Sequence, residues 1–86
     1  MTMDDSGRAT WTYRNGGVEP VVVTLEPEGE EIRVNPGSTL VVISSGGAQP
    51  RGGEDPIEVT AQGGGVTVWT QWPGSSVSVL LDGREV

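Results

Sequence analysis

The chain has 86 residues, with 5 Arg against 12 Asp and Glu, a formal net charge of −7, and no Lys, His or Cys. That length has room for one domain, because independent domains rarely fall below about 50 residues. The missing side chains exclude disulfides, thiolates, imidazole bases, Schiff-base lysines and zinc fingers.

The hydrophobic supply is modest. Leu, Ile and Val together number 20, Phe is absent, and 14 residues are Gly, which buries little. A domain this short hides only about 60–65 % of the surface of its extended chain. Small domains of this kind gain stability from disulfides, metals or oligomerisation. With no Cys, and with carboxylates as the main metal donors, no cofactor is expected and a protein partner is, a second copy first among them. The first residues, Met1-Thr2-Met3-Asp4-Asp5-Ser6-Gly7, have neither the basic nor the apolar region of a secretory signal. The longest apolar run, Leu40-Val41-Val42-Ile43, is far short of the ~20 residues of a membrane span. These features predict a soluble, cytoplasmic protein with no membrane partner.

Val, Ile and Thr outnumber Ala eight to one, and β-branched side chains favour strands. In chain order, residues 1–8 read as a flexible N-terminal tail and residues 9–86 as a single β-sandwich domain. Strands are expected at Thr10–Arg14, Val21–Glu26, Glu31–Val34, Thr39–Ser44, Ile57–Ala61, Val66–Trp72 and Val77–Leu81. About seven short strands punctuated by turn residues predict an all-β, mainly antiparallel sandwich. The punctuated stretch Ser44–Pro56 reads as a mobile crossing between two sheets.

Local signals give the turns. Pro27 and Gly29 mark a turn between the second and third strands. Setting Val23 against Val34 and Leu25 against Ile32 keeps the apolar partners on one face, with Thr24 against Arg33. Asp82-Gly83 is a two-residue hairpin signal that sets Arg84 beside Leu81 and Val86 beside Val79. Gln62-Gly63-Gly64-Gly65 and Pro73-Gly74-Ser75 read as two further hairpin connections.

Alternation assigns Val21, Val23, Leu25, Ile32, Val34, Leu40, Val42, Ile57, Val59, Val66, Val68, Trp72, Val77, Val79 and Leu81 to the interior. Val22, Val41, Ile43, Trp69 and Leu80 have the opposite parity, so a simple sandwich turns them toward water. Either a bulge or a covering segment hides them, or they form an apolar association surface. Each such side chain buried at an interface contributes roughly 1.5–3 kcal/mol. That helps an assembly only where the residues are contiguous.

Other candidates are fewer. Glu26, Glu28, Glu30 and Glu31 crowd one turn, a solubility device or a patch for a basic partner. Trp11, Tyr13 and Trp69 are the rings that could stack on a glycan, although without Phe the rings are needed as core. No run matches a calcium loop, and no Ser has a His or Lys to activate it. An enzyme would have to work with carboxylates alone, so none is expected. The Gly-rich runs lack the Lys of a phosphate loop, and the acidic balance opposes nucleic acid.

The stretch Val34-Asn35-Pro36-Gly37-Ser38-Thr39-Leu40-Val41-Val42 resembles the turn-then-strand of many β-sandwiches, cupredoxin-like ones included. The sandwich expected from the strand pattern is immunoglobulin-like, cupredoxin-like or jelly-roll-like, and the resemblance brings no copper site, because His and Cys are absent. The expected function is protein–protein contact, as a self-associating structural or assembly module. The alternatives are an acidic inhibitor or immunity-type protein for a basic partner, and a carbohydrate-binding module.

Overall fold

The computed structural model describes residues 2–3, 8–47 and 55–86. The strands are β1 (Thr2–Met3), β2 (Ala9–Arg14), β3 (Val21–Glu26), β4 (Glu30–Val34), β5 (Thr39–Gly46), β6 (Ile57–Gln62), β7 (Gly65–Thr70), β8 (Ser75–Leu81) and β9 (Arg84–Glu85). They form a five-stranded sheet in the order β1-β2-β5-β8-β9 and a four-stranded sheet in the order β4-β3-β7-β6. The molecule is an all-β sandwich. Among the described residues no helix is long and apolar enough to cross a membrane.

Two-residue pleating decides what is buried. From the five-stranded sheet, Ala9, Leu40, Val42 and Val79 point inward. Val23, Leu25, Ile32, Val34, Ile57 and Val68 meet them from the other sheet, with Trp11, Tyr13, Val21, Val66 and Leu81 packed around this core. Two residues assigned to the interior are less covered, Val59 at 40 % and Val77 at 38 % exposure. Both keep the inward parity, but Val59 lies on the edge strand β6 and Val77 borders a cavity of about 210 Å³ lined also by Leu25 and Val79.

The glycine turns at Gly63-Gly64 and Asp82-Gly83 close hairpins as expected. Asp82 (φ 51°) and Gly83 (φ 82°) both take positive φ, the pattern of a type I′ turn, which matches strand twist. Leu81 pairs with Arg84, and the Val86 amide donates to the Val79 carbonyl at 3.0 Å.

Three local expectations are corrected. The β3–β4 hairpin pairs Val23 with Ile32, Val21 with Val34 and Thr24 with Glu31, a two-residue shift from the expected register. Such a shift keeps every side chain on its face, so alternation cannot detect it. The turn decides, with the Gly29 amide donating to the Leu25 carbonyl at 2.8 Å and Leu25 opposite Glu30. Second, Pro73-Gly74-Ser75 is not a hairpin. Strand β7 ends at Thr70 and β8 pairs with β5 in the other sheet. Gly74 (φ 78°) and the Ser75 amide on the Trp72 carbonyl at 3.3 Å make this turn a type II crossover. Third, Thr2–Met3, inside the expected tail, pairs with Thr10 and Ala9.

One pairing is parallel, β3 with β7. The connection from β5 to β6 does run from one sheet to the other, although residues 48–54 of the expected mobile loop lie outside the described residues.

Candidate interaction site

The outer face of the five-stranded sheet is built from alternate residues of β2, β5 and β8. Register places Val41 between Thr12 and Leu80, and Ile43 between Thr10 and Ser78. Directly opposed side chains in an antiparallel pair stand ~4.5–5.5 Å apart at Cβ, so Val41, Ile43 and Leu80 form one apolar island. All three are half-buried on this outer face, crowded by the Thr and Ser beside them. The next row outward is Ser45 and Ser76. Across these rows of β2, β5 and β8 no side chain carries a charge, and the Val41 row ends at Glu85 of β9, opposite Leu80.

Val22 and Trp69 are not part of this island. They lie on the outer face of the four-stranded sheet, on the far side of the molecule, at 41 % and 43 % exposure. They are not neighbours there either, because Thr24 and Thr67 occupy the row between them. The five parity-breaking residues therefore fall into one island of three and two single side chains. No bulge or covering segment among the described residues returns them to the core.

Trp69 has distinctive neighbours. It sits beside Glu26 on β3 and opposite Glu58 on β6, in a carboxylate–indole–carboxylate row. The other aromatic residues lie elsewhere. Trp11 and Tyr13 stack on each other at 5.7 Å, with planes 10° apart, on the inner face against the core. Trp72 is buried. A platform combining Trp11, Tyr13 and Trp69 is thus not assembled.

The four acids of the β3–β4 hairpin also divide. Glu26 and Glu31 point to the outer face, as partners of Trp69 and Thr24. Glu30 pairs with Leu25, a residue of the inner face. Together with Glu28, it borders a cavity of about 210 Å³ between the sheets. Among the described residues, no group of three or more carboxylates is placed to hold a metal ion.

Two polar residues matter that alternation did not single out as structural. Asn15 is 2 % exposed; its side-chain amide donates to the carbonyls of Glu19 (2.7 Å) and Val34 (3.0 Å), and its Oδ1 accepts the Gly17 amide (3.0 Å). Its position at the end of β2, before Gly16-Gly17, was the available signal: Asn is favoured where side chains bond nearby backbone. Asp82 accepts the Thr39 amide at 2.9 Å and the Ser38 hydroxyl at 2.8 Å. These bonds, the Thr39 one foremost, hold its carboxyl below the ordinary range.

Comparison with family models, curated proteins and solved structures finds no match for this chain.

Proposed function

We propose that this is a non-enzymatic contact module that self-associates through the outer face of its five-stranded sheet. The observation that carries the reading is the contiguous apolar island of Val41, Ile43 and Leu80, in a chain of net charge −7. Two acidic copies repel wherever carboxylates meet. They approach most cheaply over the island itself, with Glu85, beside Leu80, at its border.

The size of the face sets the strength. Three strands ~4.8 Å apart and about eight residues long span roughly 14 by 26 Å, or ~400 Å² per copy. Stable specific interfaces bury about 800 Å² per partner, so the association is weak and concentration-dependent. Catalysis has no support in side chains, since the chain holds no His, Cys or Lys. A cytoplasmic setting suits a domain that relies on no disulfide.

The test compares two variants of equal chemistry on opposite faces. Leu80→Glu places a charge in the island and gives a monomer. Val22→Glu, on the other sheet, leaves association unchanged. Size exclusion with light scattering, with circular dichroism to confirm folding, reads both. Equal behaviour of the two variants overturns the reading.

A further inference from the structure

The outer face of the four-stranded sheet presents an exposed indole among carboxylates, and register sets its rows. Glu26, Trp69 and Glu58 lie side by side on β3, β7 and β6. Glu31, Thr24, Thr67 and Thr60 form the next row, and Arg33 and Val22 belong to the one after. Adjacent strands are ~4.8 Å apart and diagonal neighbours ~7–8 Å, so Glu26 and Glu58 bracket the ring and Glu31 is diagonal to Glu26. Trp69 is 43 % exposed. Arg33 is the basic residue of these rows; it lies two rows from Trp69, and its Nε donates to Asn35 Oδ1 at 3.2 Å. Edge protection and solubility explain acids on a turn or a rim. They do not explain an exposed indole on β7, or the acid beside it on β3, because both are inner strands of their sheet.

We infer that Trp69, Glu26 and Glu58 receive an arginine side chain from the surface of a partner protein. The ring quadrupole draws a cation onto the indole face. A guanidinium is planar, so when it stacks on the ring its N–H donors fan out sideways, toward the carboxylates on either hand. A lysine ammonium has no such plane and is more strongly hydrated. Glu31 adds negative charge one row away, and the short side chains of Thr24, Thr67 and Thr60 let a partner's backbone approach the sheet. A second copy is the wrong occupant, since each face brings three carboxylates and only one Arg33, and two such faces repel. A neutral sugar ring fits less well, because two carboxylates beside the negative face of an indole favour a cation. The site lies on the sheet opposite the Val41–Ile43–Leu80 island and stands independently of self-association.

The probe is a peptide of alternating Arg and Ser with blocked ends, titrated into the whole isotope-labelled chain and followed by NMR. Saturable shifts are expected at the Trp69 indole N–H and the Thr24 and Thr67 amides, with the Trp11 and Trp72 indoles unmoved. A Lys-Ser peptide of equal charge binds about threefold or more weakly. Trp69→Leu keeps every charge and weakens the Arg peptide by a similar factor, read at the Thr24 and Thr67 amides. Glu26→Gln with Glu58→Gln weakens binding and flattens its salt dependence. Circular dichroism checks the folding of each variant; should one fail to fold, the comparison of Arg and Lys peptides on the unmodified chain decides. Three results overturn the inference: no saturable shift at Trp69, equal binding of the Arg and Lys peptides, or tighter binding of a neutral oligosaccharide such as cellohexaose at the same indole.

Discussion

The side-chain amide of Asn15 donates to the main-chain carbonyl of Val34 at 3.0 Å, joining the end of β2 in one sheet to the end of β4 in the other. The same amide holds the Glu19 carbonyl, and its oxygen takes the Gly17 amide. One buried polar side chain thus fixes the loop between β2 and β3 and clamps it to the far sheet. Replacing it by Leu, of similar size, strands three backbone groups, of which the Val34 carbonyl is the most buried. Unmade buried hydrogen bonds cost about 1–3 kcal/mol each, so Asn15→Leu is expected to lose roughly 2–4 kcal/mol in urea unfolding. A loss near zero would show that the clamp contributes nothing.

Asp82 makes stability depend on pH in a defined direction. Hydrogen bonds from the Thr39 amide and the Ser38 hydroxyl lower its pKa from the ordinary 3.8. A depressed folded-state pKa means that the contribution is fully present above the unfolded value and is lost as pH falls through the folded one. Asp82→Asn isolates the charge, since Asn also tolerates the positive φ of this position. The wild-type protein should be the more stable near neutrality, with the gap narrowing below about pH 4. Thermal melts of the two proteins from pH 7 to pH 2 measure it. A constant gap would assign the difference to something other than ionisation.

Trp69 offers an optical test of its surroundings. It is exposed between Glu26 and Glu58, whereas Trp72 is buried and Trp11 packs on the core. A cationic quencher such as caesium gathers beside the two carboxylates and iodide is repelled. Caesium should therefore quench Trp69 more efficiently than iodide, relative to their action on free tryptophan. Glu26→Gln with Glu58→Gln should remove the difference, and Trp69→Phe should remove most of the quenchable emission. Equal quenching by both ions in the wild type would rule out this carboxylate environment.

Much of the fold could be read locally. Val21–Glu26 has the expected bounds, and the Gly63-Gly64 and Asp82-Gly83 turns form hairpins because their positive-φ requirements are written in the residue types. Alternation also assigned faces well, because pleating has a period of two. The same period hides a slip of two, which is why Val23 meets Ile32 rather than Val34. Long-range pairing left no local trace: nothing in Val66–Val68 announces a parallel neighbour in β3, and Pro73-Gly74 serves a crossover as readily as a hairpin.

The candidate site was legible only in part, for a related reason. Parity identified Val22, Val41, Ile43, Trp69 and Leu80 as outward. Which of them share a face depends on the sheet to which each strand belongs, and only strand order settles that. Likewise, the four glutamates of one turn look like a single patch in sequence, but pleating sends Glu26 and Glu31 one way and Glu30 the other.

Self-association through the Val41–Ile43–Leu80 face is tested most directly by sedimentation equilibrium of the unmodified chain over a wide concentration range. The weight-average mass should rise smoothly from that of one chain toward that of two, and rise at lower concentration when salt screens the −7 charge. A mass that stays at one chain up to millimolar concentration, at low and high salt alike, would contradict the account.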